Sequence, residues 1–146
     1  MKSDKKSIIE LRRIAANHKG VLRPEDVVDC ARDKKSPLHN KFEWDDSAAA
    51  QSYRIWQARQ LISVSVEYIK INNKDVPVRV FVSLTPDRLE KGGGYRCVNT
   101  VMTVDSMREQ MLADAMVDMI SFTEKYKILK ELSKVFTEMK KVIKKK

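Results

Sequence analysis

Residues 63–84 read SVSVEYIKINNKDVPVRVFVSL, and this stretch decides the fold class. Two runs alternate apolar and polar side chains, as half-buried β-strands do, and an Asn-Asn-Lys-Asp turn at 72–75 separates them. The stretch therefore predicts an antiparallel β-hairpin with strands over 63–71 and 76–84. Pro77 near the start of the second strand indicates an edge position, because proline lacks the N–H that a central strand needs.

Three helical segments are predicted before the hairpin. The first begins at an N-cap provided by Ser3 or Asp4 and ends near Gly20, which is free to adopt positive φ. A short strand over 21–22 follows. Pro24 then stands at the first position of the second helix, where its missing N–H breaks no helical hydrogen bond.

The third helix is predicted over 48–62, where alanine, glutamine, arginine and leucine all favour helix. A loop precedes it. Trp44 in that loop would pack the start of the helix against the core, while Asp45 or Asp46 would cap its first turn.

The segment after the hairpin is predicted to change from irregular structure to helix. Residues 89–94 form a mobile loop around the glycine cluster 92–94, and residues 95–102 form an extra strand. From Val104 onward the chain has neither glycine nor proline. We therefore expect one long helix, or two helices with a break near Lys127.

These elements predict an α+β fold. Residues 1–86 would form a winged-helix-like domain closed by its hairpin. Residues 87–104 would form the glycine-rich loop and the extra strand, and residues 105–146 a C-terminal helical arm with a lysine-rich end. A winged helix most often presents one helix and one hairpin tip to a nucleic acid, although element order alone does not establish a function.

The net charge of +9 is concentrated at the C-terminal end. Residues 1–46 hold 11 basic and 9 acidic side chains, and residues 47–124 hold 9 of each. Residues 125–146 hold 9 lysines and 2 glutamates, so they carry +7 of the total. The region predicted as a winged helix is therefore close to neutral, and attraction to phosphates is assigned mainly to the tail.

Nothing in the sequence predicts a membrane segment or a secreted, disulfide-bonded protein. The amino-terminal residues run directly into an amphipathic segment, and no apolar run approaches the length of a bilayer-spanning helix. Cys30 and Cys97 are the only cysteines and lie far apart. We therefore expect a cytoplasmic protein with reduced thiols and no membrane partner.

No enzyme chemistry is predicted either. Glu43, Asp45 and Asp46 form the densest acidic cluster, but no nuclease-like lysine spacing accompanies them, and a helix cap is the simpler interpretation. His18 and His39 show no zinc-ligand spacing, and His39 is expected to hold its loop by hydrogen bonding. The glycine cluster lacks the Gly-Lys-Ser/Thr ending of a phosphate loop. The sequence thus predicts no catalytic residue, no metal and no cofactor.

Candidate nucleic-acid contacts share a positive charge or an amide group and lie at three places. Arginine and glutamine read base edges, and lysine suits phosphates. The candidates are Gln51, Arg54, Gln57 and Arg59 on the third helix, Lys70, Lys74 and Arg79 around the hairpin turn, and Lys140, Lys141, Lys144, Lys145 and Lys146 at the C-terminus. The alternative for the third helix is an ordinary solvated face, and the acids at 45 and 46 oppose a groove contact at its start.

The last helical segment carries apolar residues at heptad spacing, which is typical of helices that pair. The seam consists of Ile128, Leu132, Val135, Met139 and Val142. Either its own domain or another subunit has to cover it. Because a compact unit is already predicted upstream, we expect a homodimer.

Several short motifs in the first half of the chain belong together. In order they are GVLRPEDVV (20–28), SPLH (36–39), FEWDD (42–46), YR (53–54) and QARQLI (57–62). This pattern resembles that of small uncharacterised proteins encoded by bacteriophages and prophages, and Gly94-Tyr95-Arg96 continues the resemblance more weakly. The resemblance implies a phage or mobile-element context in the cytoplasm of a bacterial host, and it implies no chemistry.

Together, these features predict a non-enzymatic nucleic-acid-binding or regulatory protein, with duplex DNA favoured as the ligand. The third helix, the hairpin tip and the lysine tail would supply the contacts. The alternative is a protein-interaction module of a phage or mobile element, in which the same fold is a scaffold that binds a host or phage protein.

Overall fold

A computed structural model describes residues 4–44 and 48–145, and these residues form a mainly helical α+β protein, which confirms the predicted class. In chain order the α-helices are α1 (Lys5–Asn17), α2 (Pro24–Ala31), α3 (Ala48–Ser63), α4 (Thr85–Leu89), α5 (Val98–Thr103), α6 (Asp105–Tyr126) and α7 (Ser133–Lys144). Short 3-10 helices at His39–Lys41 and Lys130–Leu132 precede α3 and α7. The strands are β1 (Val66–Ile71), β2 (Lys74–Arg79), β3 (Phe81–Val82) and β4 (Arg96–Cys97). The predicted caps Ser3, Asp45 and Asp46 and the tail residue Lys146 lie outside the described residues.

The first helix begins and ends as predicted, and the second begins as predicted. The carboxylate of Asp4 caps α1 by accepting a hydrogen bond from the N–H of Ser7 at 2.8 Å. This bond, more than any other contact, lowers the pKa of Asp4. After α1, Gly20 has a φ of 81° and donates its N–H to the carbonyl of Ala15 at 2.7 Å. Pro24 opens α2 at its first position.

One hydrophobic core lies among α1, α2, α3 and β3, and it uses the helix faces that the apolar spacing predicts. The core side chains with almost no exposed surface include Leu11, Leu22, Val27, Val28, Leu38, Leu61 and Ile62. Leu38 comes from the loop before α3, and Phe42 of the same loop is also buried. These two side chains explain how a long irregular connection is held against the domain.

The predicted hairpin is present, but its turn is shorter than expected. Ile71 lies opposite Lys74, so the loop has two residues instead of four. Asn72 and Asn73 have φ values of 50° and 60°. A two-residue turn of this kind requires positive φ at both positions, which asparagine tolerates better than most residues. Lys74 and Asp75 therefore belong to β2.

The predicted second strand, 76–84, is divided because the chain changes partner at Val80. The Val80 N–H donates to the carbonyl of Ser65 at 3.0 Å, on the side of β1. Its carbonyl instead accepts a hydrogen bond from the N–H of Val98 at 2.8 Å. Beyond Val80 the strand continues as β3, which pairs with β4.

The predicted extra strand, 95–102, is only partly correct. Tyr95 and Leu22 exchange backbone hydrogen bonds of 2.7 and 2.9 Å, so the short strand predicted at 21–22 exists as a single bridge. β4 follows Tyr95, but from Val98 the chain turns into α5. Val101 is fully buried there, and this tertiary contact outweighs the preference of valine for strands.

The segment directly after the hairpin forms the short helix α4, although no helix is predicted there from the sequence. Pro86 in its first turn is a helix-start signal that the hairpin pattern obscures. The carboxylate of Asp87 is buried and accepts three hydrogen bonds of 2.7–3.0 Å from the guanidinium of Arg96. This ion pair joins α4 to β4.

The glycine cluster predicted as a loop tip is packed against the domain at Gly94. Gly94 is buried, and a Cβ on it would lie only 2.7 Å from Cγ1 of Val21. Gly92 has a φ of 84° and packs against the carboxylate of Glu25. The cluster lets the chain approach the strand at Leu22 closely.

The C-terminal arm is a pair of helices with its break at Lys127, one of the two predicted forms. Phe122 of α6 and Phe136 of α7 pack edge to face with ring centres 6.1 Å apart. Asp114 attaches α6 to α4 by accepting hydrogen bonds from the N–H and hydroxyl of Thr85 at 2.9 and 2.7 Å. In the described residues, no helix is both long and apolar enough to cross a lipid bilayer.

The Asp87–Arg96 pair provides a test of this packing. Asp87→Asn leaves the Arg96 charge without its partner in a largely buried place, so we expect a loss of about 3 kcal/mol in unfolding free energy. The matched control is Asp75→Asn, which breaks the exposed Lys70–Asp75 pair and should cost less than about 1 kcal/mol. Urea denaturation measures both. Equal losses would contradict the structural role of Asp87.

The close approach at Gly94 provides a second test. Gly94→Ala places a methyl group against Val21, so we expect a loss of about 1–3 kcal/mol from overpacking. Val21→Ala removes the clashing methyl group. The double variant should therefore lose less stability than the sum of the two single variants in thermal denaturation. Additive losses would show that the two residues are not in contact.

Candidate nucleic-acid interface

Helix α3 exposes two of its four candidate residues and buries the other two, whereas all four are predicted to be exposed. Gln51 and Arg59 are exposed as expected, but Arg54 and Gln57 expose only 4% and 7% of their surface. Both fall on the same side of the helix as Leu61, which belongs to the core. The expectation that Arg54 and Gln57 face solvent is therefore wrong.

Arg54 is held by the loop that precedes α3. Its guanidinium donates to the carbonyl of Glu43 at 3.2 Å and lies 5.4 Å from the centre of the Trp44 ring. The amide oxygen of Gln57 accepts a hydrogen bond from the N–H of Glu43 at 3.3 Å. Both side chains thus use their polar groups on the loop, which explains why the helix can bury them.

His39 and Trp44 complete this cluster. Their rings are stacked with centres 5.1 Å apart, and the indole N–H donates to the carbonyl of His39 at 2.9 Å. The His39 Nδ1 donates to the carbonyl of Ala31 at 2.9 Å. The prediction that His39 holds this loop by hydrogen bonding is confirmed.

The solvent side of α3 presents an aromatic pair that the sequence analysis did not single out. Tyr53 and Trp56 are stacked with ring centres 5.6 Å apart and planes 15° apart. Each exposes about half of its surface, 48% and 51%. The sequence contains an indication of this pair. Its two residues are three positions apart, which makes them neighbours on a helix surface, and they are out of phase with the core positions. Exposed aromatic pairs of this kind are candidates for binding.

The charges around this pair are favourable to anions. The sixteen residues of α3 include two arginines and no acidic residue. Exposed Arg59 forms no salt bridge within the described part of the chain. Arg32 lies next to this side of the helix and donates to the side-chain oxygen of Gln51 at 3.0 Å, but its charge is partly offset by Asp29 at 3.6 Å.

Arg59 also lines a cleft of about 480 Å³ between α3 and the glycine loop at 92–94. Arg88 lies in the same cleft but is already engaged with Thr85, at 2.6 Å, and with Asp114, at 3.4 Å. Glu90 lines the cleft too, and its carboxylate offsets part of the positive charge. The charge available to a ligand on this side is therefore mainly that of Arg59.

The hairpin presents two of its three candidate cations without partners. Lys74 and Arg79 are exposed and form no salt bridge within residues 4–44 and 48–145. Lys70 instead pairs across the strands with Asp75 at 2.9 Å, which is a weak interaction at this exposure. The base of the hairpin is fixed to α1, because Arg12 donates two hydrogen bonds of 2.7 and 2.8 Å to Glu67.

The tail and the apolar seam lie on and before α7. Lys140, Lys141, Lys144 and Lys145 are exposed, and Lys141 pairs with Glu138 at 2.7 Å. Of the five seam residues, Leu132 and Met139 are half-buried, whereas Ile128, Val135 and Val142 are exposed. The two-helix arm thus covers only part of the predicted seam.

The His, Cys, Asp and Glu side chains of the described residues bear on metal binding and on thiol chemistry. No group of three or more His, Cys, Asp or Glu side chains there suits a metal ion. Cys30 donates its S–H to Glu10 at 3.2 Å. Burial, and then the contact with Glu10, raise the pKa of the Cys30 thiol, so the nucleophilic thiolate is disfavoured.

The chain matches no protein-family model, no curated protein and no solved structure.

The two arginines of α3 should differ sharply when each is replaced. Arg54→Ala removes buried hydrogen bonds and the contact with Trp44, so we expect a loss of about 1–3 kcal/mol in unfolding free energy. Arg59→Ala on the same helix is the matched control and should change stability by less than about 0.5 kcal/mol. Urea denaturation distinguishes them. A larger loss for Arg59→Ala would contradict the observed orientation of α3.

Proposed function

We propose that this protein binds nucleic acid, with duplex DNA as the favoured ligand, through a winged-helix-like domain. In this proposal α3 is the contacting helix and the β1–β2 hairpin is the wing. The observation that carries the proposal is the solvent side of α3, where the stacked Tyr53–Trp56 pair accompanies Arg59 on a helix without acidic residues. No catalytic step is proposed.

Each part of this surface suits a different part of the ligand. The planar faces of Tyr53 and Trp56 can pack against deoxyribose and against the apolar methyl groups of thymine in a groove, because the base faces of a duplex are already stacked on one another. Arg59 donates in a fork geometry that suits a phosphate or the edge of guanine. Gln51 remains a candidate for base contact, whereas Arg54 and Gln57 are structural in this conformation.

The remaining cations supply attraction without specificity. Lys74 and Arg79 on the wing would contact phosphates, and the lysines at the end of α7 would strengthen binding at low salt. On the resemblance to phage-encoded proteins, we propose that the protein acts as a regulator in the cytoplasm of a bacterial host.

Binding to a labelled DNA duplex, measured by fluorescence anisotropy over a series of salt concentrations, tests this proposal. We expect affinity to fall steeply as salt rises, because bound cations displace counterions from the DNA. Trp56→Ala and Arg59→Ala should each weaken binding about tenfold, the effect of losing one stacked or forked contact. Removal of residues 140–146 should weaken binding equally for all sequences and reduce the salt dependence.

Two control variants separate specific contacts from general effects. Arg108→Ala removes the same charge from an exposed position on α6, and Leu89→Ala removes an exposed apolar side chain from α4. Neither should change the affinity by more than about twofold if contact depends on the α3 surface. Equal losses for Arg59→Ala and Arg108→Ala, or the absence of binding at low salt, would overturn the proposal.

A protein-interaction module is the second candidate, and the apolar surface of the hairpin favours it. Tyr68 exposes 68% of its surface, and Ile69 and Ile71 are also exposed. Exposed aromatic side chains often anchor protein interfaces. Two results together would support this candidate instead. The protein would not bind nucleic acid at low salt, and Tyr68→Ala would abolish its binding to a defined phage or host protein.

A further inference from the structure

Each of the two helices of the arm leaves part of its apolar surface uncovered. Both lie wholly within the described residues; none of the 22 residues of α6 is buried, and Phe136 is the one buried residue of α7. Helices of this kind obtain most of their stability from tertiary packing. The exposed apolar side chains of the arm include Leu112, Val117, Ile120, Ile128, Val135 and Val142.

The rest of the chain does not cover this surface. The arm is attached near the start of α6, through α5 and through the hydrogen bonds between Asp114 and Thr85. Ile128 exposes 84% of its surface, although it stands between the two helices. The sequence allows the seam to be covered either by its own domain or by another subunit. At the exposed positions, its own domain does not cover it.

The two helices carry opposite charges. α6 holds five acidic and two basic side chains, whereas α7 holds four lysines and one glutamate. The salt bridges of the arm in the described residues join neighbours in sequence, Lys127 with Glu124 and Lys141 with Glu138, or join Asp114 to Arg88. None joins α6 to α7, so their opposite charges remain available to another molecule.

We propose that the arm is an interface for a second copy of this chain, in which α6 of each copy packs against α7 of the other in a four-helix bundle. Charge selects this pairing: α6 would repel a second α6 and α7 a second α7, whereas α6 attracts α7. In a dimer with two-fold symmetry the favourable α6–α7 contact is present twice, as in other self-complementary interfaces. The uncovered apolar side chains of both helices would form the centre of the bundle. The proposed interface is inferred from the arm alone and not from the proposed function, although the lysines at the end of α7 belong both to this interface and to the proposed nucleic-acid contact.

Reversal of the charges on one helix at a time tests the pairing. One variant carries Glu109→Lys and Asp118→Lys on α6, and the other carries Lys134→Glu and Lys140→Glu on α7. None of these four residues forms a salt bridge in the described chain. Sedimentation velocity should show a dimer for the unaltered protein, whereas each variant alone should dissociate with a dimer Kd raised about tenfold or more.

An equimolar mixture of the two variants should form heterodimers, because each altered helix then faces an oppositely charged helix. A shared fold defect would not be repaired by mixing. A monomer for the unaltered protein at about 100 μM, charge variants that dimerise normally, or a mixture that stays monomeric would each overturn the proposal.

A second pair of variants tests the same interface without a change of charge. It is used if circular dichroism shows that a charge variant has lost helix content. Val135→Ser with Val142→Ser alters exposed apolar positions of α7, and Leu89→Ser alters an equally exposed apolar position on α4. We expect the first to raise the dimer Kd about tenfold and the second to leave it unchanged, because only the arm is covered in the dimer. Equal Kd values would overturn the proposal.

Discussion

The guanidinium of Arg54, held between the ring of Trp44 and the carbonyl of Glu43, sets the rotation of α3 about its own axis. A buried guanidinium is stable only where its donors and its charge are matched, so α3 cannot rotate without leaving this charge unsatisfied. With Arg54 turned inward, Tyr53, Trp56 and Arg59 necessarily turn outward. The surface from which we infer nucleic-acid binding therefore depends on a contact inside the domain.

The same loop explains why a long irregular connection is compatible with a defined helix position. Leu38 and Phe42 place apolar side chains in the core, while the stacked rings of His39 and Trp44 and their hydrogen bonds satisfy polar groups nearby. The close contact of Gly94 with Val21 and the Asp87–Arg96 pair hold α4 and β4 in place in a similar way. By contrast, the arm has few buried contacts, which is why we expect it to obtain its stability from a second copy.

Part of the interface was predictable and part was not. The exposure of Gln51, Arg59, Lys74 and Arg79 follows from their polarity and position, and the structure confirms it. The burial of Arg54 and Gln57 contradicts the usual exposure of such side chains, because their partners lie in a loop whose path no helical pattern indicates. The exposure of Tyr53 and Trp56 could have been noticed from their phase relative to Leu61.

The sequence by itself determined the elements whose signals are local. A cap at Ser3 or Asp4, the opening of α2 at Pro24, the apolar faces of the first helices and the presence of a hairpin turn after Ile71 all depend on residues a few positions apart. Only the tertiary structure decided the change of strand partner at Val80 and the rotation of α3. These features depend on which distant segments meet, and spacing along the chain does not encode those encounters directly.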